Sequence, residues 1–153
     1  VVKLPRYREQ LDARRFPGIA NTFLCWSIIQ EDLGAPAQAA WASLHAAWVC
    51  DDEGEDVPAR VCRKRAVDLL RRAWEQDERL ASLAGADEAL LVDLLRRAGR
   101  LREARAVAKE VLEQNPQPFI ADIMRFQVRL IAATDRGAHT VAEARRSRQP
   151  VLP

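Results

Sequence analysis

The chain has 153 residues, with 24 basic and 22 acidic side chains and a formal net charge of +2, so no overall polycation is present to hold nucleic acid or an anionic membrane. Hydrophobic residues make up 48% and charged residues 30%, with only six glycines; this is a globular composition and excludes a disordered chain. At this length a core needs neither disulfides nor a metal, and the abundance of Ala, Leu, Arg and Glu over β-branched residues predicts an all-α fold.

Residues 1–17 carry Arg6, Arg8, Arg14 and Arg15 between Pro5 and Pro17 and read as a lead-in with one or two helical turns around Tyr7 to Leu11. The first long helix is expected over 18–33, with Ile19, Phe23, Trp26 and Ile29 on one face and Leu24 and Ile28 broadening it, until Gly34 ends it. Pro36 then occupies a first-turn position that needs no N–H. The helix it opens, 36–50, aligns Ala37, Ala40, Trp41, Leu44, Ala47 and Trp48. From Leu33 to Cys50 eighteen residues pass without a charge, the length of a membrane span. Gly34 and Pro36 break its start and Gln38, Ser43 and His45 interrupt it, so it reads as a helix outside any membrane.

Asp51 to Asp56 forms an acidic turn, and Pro58 opens a third long helix reaching Asp77. Val61, Cys62, Ala66, Leu69, Leu70, Ala73 and Trp74 make its buried face, with Arg60, Arg63, Lys64, Asp68, Arg71 and Arg72 opposite. After a connector at 80–86, Asp87 to Pro116 reads as two helices folded back at Gly99: Leu90, Leu91, Leu94 and Leu95 precede it, and Ala104, Val107, Ala108, Val111 and Leu112 follow. A sixth helix is expected over 119–133, apolar on more than one side and hence covered by two neighbours. Thr140 and Glu143 have capping-box spacing, and a basic tail expected to be mobile closes the chain. The domain limits so drawn are 1–17, 18–138 and 139–153.

Cys25, Cys50 and Cys62 show no C-x-x-C spacing and lie in apolar stripes, the pattern of buried free thiols in a reducing compartment. No signal peptide is evident, the start at Val1 reads as a fragment edge or a processed terminus, and the expected location is cytoplasmic. Zinc would need paired ligands two to four residues apart, which these cysteines and His45 lack; the acidic turn lacks the alternating ligands of a calcium loop. No metal or other cofactor is expected. With His45 and His139 as the two histidines and no nucleophile, phosphate or dinucleotide motif, the chain reads as a non-enzyme. Glu31 and Asp32, adjacent in sequence, point to different helix faces.

In the Gly99 hairpin, Gly99, Leu101, Ala104, Ala108, Val111 and Pro116 occupy the positions of a tetratricopeptide repeat, which this hairpin resembles; Gly34, Ala39 and Ala46 give a weaker echo 65 residues earlier. The resemblance implies antiparallel hairpins stacked as a short solenoid of about six main helices, acting as a protein-interaction or scaffold module. It implies a peptide groove lined by the first helices of each pair, here Asn21, Leu24, Ile28, Ala89, Asp93 and Arg96, without the lysine and asparagine set that clamps a C-terminal carboxylate. More weakly, residues 17–144 look like the helical part of uncharacterised bacterial proteins that carry a Cys-x-x-Cys zinc ribbon upstream, which would make this the helical half of a larger regulatory protein.

Two further expectations concern surfaces. Arg60, Arg63, Lys64, Arg71 and Arg72, then Arg96, Arg97, Arg100, Arg102 and Arg105, then Arg145, Arg146 and Arg148 give the rival reading of a nucleic-acid-associated protein, although Asp68, Asp93, Glu103 and Glu110 interleave them. Trp26, Trp41, Trp48 and Trp74 all fall on apolar stripes, where core is the first reading. Yet from Phe16 to Cys50 the charged residues are only Glu31 and Asp32, so this hairpin has almost no charged face to give to water. Some of Phe23, Trp26, Trp41 and Trp48 are therefore expected to meet a protein or peptide partner, a second copy or an upstream segment.

Overall fold

In a computed structural model, which describes residues 5–147, the apolar stripes become helices and no strand occurs among the described residues. The helices are α1 (Pro5–Leu11), α2 (Gly18–Asp32), α3 (Pro36–Asp52), α4 (Asp56–Glu75), α5 (Ala86–Arg97), α6 (Leu101–Glu113), α7 (Pro118–Ala132) and α8 (Val141–Arg146). All-α is thus correct. Beyond the six long helices, the lead-in and the segment after Thr140 each supply one short helix of seven and six residues. The end of the tail, with Arg148, lies outside the described residues. The chain divides into two compact units, Val1–Leu80 and Ala81–Pro153, and the division falls at the connector.

In the first unit α3 lies between α2 and α4. It does so because its inner positions are small: Ala37, Ala39, Ala40, Ala42, Ala46 and Ala47 are all buried, which lets two helices approach it closely. Phe16, Ala20, Leu24, Cys50, Ala59 and Cys62 fill the core at one end. At the α2–α3 contact the Ser27 hydroxyl donates to the Ala39 carbonyl at 2.9 Å and meets the Ser43 hydroxyl at 2.8 Å, so both buried hydroxyls are satisfied. Outside the contact sits Glu31. Its carboxylate accepts from Arg6 of α1 at 3.0 Å, from Arg65 of α4 at 2.7 Å and from Arg72 of α4, while Arg6 also grips Asp32. Although adjacent, the two carboxylates thus share one guanidinium. Burial pushes the Glu31 carboxyl up, but the hydrogen bonds from Arg72 and Arg65 and the charges of Arg65 and Arg6 outweigh it and hold it below its ordinary value.

Two assignments on α4 need correction. Arg63, expected on the solvent face, is 4% exposed because it reaches back to Asp51 at the end of α3, and Val61, expected inside, is exposed.

The second unit is built on α5, α6 and α7, with α8 against α7. α5 ends at Arg97 and Gly99 takes φ +84°. Its N–H bonds the Arg96 carbonyl at 3.0 Å and the Arg100 N–H bonds the Leu95 carbonyl at 2.8 Å, the paired closure of a Schellman motif. Two pairs of the same kind close α2 and α3. Arg96, fully buried, is the polar pin of the unit. It donates to Gln127 of α7 at 2.7 Å, to Asp93 at 2.8 Å, and to the carbonyls of Asp135 at 2.6 Å and Gly137 at 2.9 Å, so the α5 helix and the turn after α7 are held by one guanidinium. Beyond that turn the Thr140–Glu143 capping box forms as the spacing predicts. His139 bonds Asp135 at 2.9 Å and stands edge-on to Phe126.

Three outcomes follow for stability. Gly99→Val forces a β-branched residue to positive φ, with its Cβ 3.3 Å from the Arg136 guanidinium, and is expected to cost about 1–3 kcal/mol in urea unfolding. Arg96→Ala removes four hydrogen bonds at once and leaves buried Gln127 and part-buried Asp93 without their partner; it is expected to cost about 3–5 kcal/mol, with Arg96→Lys recovering only a fraction because an ammonium cannot span the four acceptors; an unchanged midpoint for either would contradict the pin. Because the folded Glu31 carboxyl lies below its ordinary value of 4.5, its contribution is complete above that pH and is lost as pH falls through the lower folded value. Glu31→Gln is therefore expected to destabilise by about 1–3 kcal/mol near neutral pH and to flatten part of the acid limb of a stability-against-pH curve. Asp135, lowered by the Gly137 N–H and His139, and Glu143, lowered by Thr140, add to the same limb.

Candidate functional site

Helical spacing builds the most distinctive surface of the first unit. On α2, Ile19, Phe23 and Trp26 stand at i, i+4 and i+7; on α3, Trp41, His45 and Trp48 do the same, so each helix carries one continuous row. The two helices run antiparallel, since Phe23 meets His45 while Ser27 meets Ser43 and Ala39, and the rows come together. His45 is the centre. Its ring centroid lies 5.3 Å from Phe23, 5.7 Å from Trp41 and 5.1 Å from Trp48, and Trp41 and Trp48 meet edge-on at 6.4 Å, within the range of favourable aromatic contacts.

The cluster is partly anchored and partly open. Trp41 donates its indole N–H to the Leu80 carbonyl at 3.3 Å, which fixes its ring. Trp26 and Trp48 remain 53% and 41% exposed, and Ile19 65%; no group among the described residues accepts from either indole N–H. Reading all four tryptophans as core therefore fails for these two, because α1 and α4 cover other faces of α2 and α3 and nothing in the first unit covers this one. In the sequence His45 reads only as a polar interruption of an apolar helix. Its spacing of four from Trp41 and three from Trp48 was the signal that it belongs to the aromatic row.

The residues expected to line a groove fall three in each unit. Asn21 holds α1 by accepting from Gln10 at 2.7 Å and donating to the Leu11 carbonyl at 3.1 Å. Leu24 and Ile28 are buried in the first unit. In the second, Ala89 is half-buried, Asp93 is bound by Arg96 and Gln127, and Arg96 is the buried pin. Leu24, Ile28 and Arg96 are spent on the interior and have no open wall to offer.

The arginine faces are likewise thinned. Arg63 and Arg96 are buried, Arg6, Arg65 and Arg72 converge on Glu31, and Arg100 holds Glu103 through two bonds of 2.7 and 2.8 Å. A cleft lined by Arg6, Arg15 and Arg65 has two of its three cations on that same carboxylate. All three cysteines are free and buried. Burial pushes their thiols up, that of Cys62 to about 12 with neighbouring Cys50 adding to the effect, which makes them poor nucleophiles. Among the described residues no three metal-ligating side chains converge and no helix is long and apolar enough to cross a membrane. Set against protein-family models, curated proteins and solved structures, the chain matches none of them.

Proposed function

We propose that the chain is a non-enzymatic protein-interaction module of tetratricopeptide-like helical hairpins, and that its docking surface is the aromatic face of α2 and α3. The observation that carries this reading is the pair of half-exposed tryptophans, Trp26 and Trp48, which with exposed Ile19 lie on a hairpin whose acidic residues are confined to the ends of its two helices. Apolar surface of this kind is costly to leave in water, and contiguous patches on soluble chains usually mark contact sites; tryptophan in particular is enriched where binding energy concentrates. Buried free thiols support a reducing compartment as its place of work. A nucleic-acid role through arginine draws less support, because Arg63 and Arg96 are buried and Arg72 and Arg100 are held by carboxylates.

A docking residue and a core residue respond differently to charge. Trp26→Glu and Trp48→Glu are expected to leave unfolding free energy within about 1 kcal/mol of the wild type, as surface changes do, while reducing the binding of a hydrophobic dye. A loss above about 3 kcal/mol for either, the scale of a charge forced into a core, would show that the ring is structural and would end the docking reading.

A further inference from the structure

Two of the three thiols meet where α3 turns into α4. Cys50 stands in the last turn of α3 and Cys62 in the second turn of α4. Both are fully buried in one core with Ala46, Ala47 and Ala59, and their thiols hydrogen-bond to each other. The backbone around this contact is held as well. The Glu55 N–H bonds the Cys50 carbonyl at 2.8 Å, and the residues that follow the two cysteines form the Asp51–Arg63 ion pair. Cys25 stands apart on α2, where burial alone acts on its thiol.

A thiol is a weak donor and a weak acceptor, so the hydrogen bond adds little that two other small apolar side chains would not supply by packing. What two sulfurs in contact can do, and such side chains cannot, is form a covalent bond. The surroundings decide when. Burial disfavours the thiolate, pushing Cys62 up to about 12, and it is the thiolate that attacks an oxidant. The product carries no charge and no polar hydrogen, so the apolar core that hinders the thiolate accepts the disulfide without a polar group to desolvate. Oxidation is thus slow in the closed hairpin and proceeds when the end of the hairpin opens. Neither thiol is exposed to a bulky thiol such as glutathione, which limits mixed disulfides and leaves the partner cysteine as the nearest sulfur. Closing the loop over 51–61 also restricts the unfolded chain, which stabilises the oxidised fold.

We propose that Cys50 and Cys62 are a redox-sensitive pair that a peroxide closes into a disulfide across the α3–α4 hairpin. One thiolate attacks a peroxide oxygen, breaks the O–O bond and becomes a sulfenic acid with release of water. The second thiol attacks that sulfur, forms the S–S bond and expels the hydroxyl as a second water; two thiols are oxidised, one peroxide is reduced, and each thiol proton ends in a water. The full chain would be treated with hydrogen peroxide, then unfolded in guanidinium with iodoacetamide and mapped by peptide mass spectrometry. The expected product is a monomer that has lost two hydrogens, carries a Cys50–Cys62 cross-link and keeps one alkylated thiol, at Cys25. Its thermal midpoint is expected to lie several degrees above that of the reduced chain, and dithiothreitol in mild denaturant to reverse the gain. Cys50→Ala and Cys62→Ala are each expected to abolish the cross-link and the gain, and Cys25→Ala neither. A disulfide that uses Cys25, cross-linking between chains, sulfinic acid without loss of hydrogens, or three thiols still alkylated after peroxide in mild denaturant would overturn the proposal. The mapping is read on the wild-type chain, so a poorly folded alanine variant does not blunt it.

Discussion

One carboxylate organises the first unit. Glu31 sits near the end of a helix that is otherwise almost without charge, and three guanidiniums from α1 and α4 converge on it. An anion nearly withdrawn from water needs such partners, because its desolvation is repaid only by charge and hydrogen bonds close at hand. The consequence is directional. Satisfying Glu31 ties α1 and α4 to α2, and their cover leaves the face of Ile19, Trp26 and Trp48 to solvent.

The second unit solves the same problem with the opposite charge. Arg96 is withdrawn fully from water, and its donors are spent on a side-chain amide, a carboxylate and two turn carbonyls. Those carbonyls belong to the chain just after α7, where it turns under the α5–α6 hairpin. A planar fork of donors suits this arrangement in a way an ammonium does not. In both units, then, the polar contacts that decide how helices meet use arginine, and the composition bias toward arginine is partly accounted for by interior pins and clamps.

Much of the fold was legible because helix punctuation is local. Pro36 at a helix start, Gly34 and Gly99 just past helix ends, and the Thr140–Glu143 box each act over a few residues, and each appears where the spacing places it. What the chain order hides is which polar side of a helix meets another helix. Arg63 and Arg96 read as solvent arginines until Asp51 and the turn after α7 are brought beside them. The site was legible in part for the same reason. The rows Ile19–Phe23–Trp26 and Trp41–His45–Trp48 follow from helical period alone, but whether α1 or α4 covers them is a matter of packing, set by the Glu31 cluster and by the alanines of α3. Leu24, Ile28 and Arg96 read as groove-lining from their helix positions, but each is buried within its own unit.

The central claim is that the rows on α2 and α3 form a face open to water in the free chain. Acrylamide quenching of four single-tryptophan variants, the other three replaced by phenylalanine, tests it most directly. The account predicts that Trp26 and Trp48 are quenched strongly, and that Trp41, tied to Leu80, and half-buried Trp74 are quenched several-fold less. Equal shielding of all four positions in a monomeric chain would contradict it.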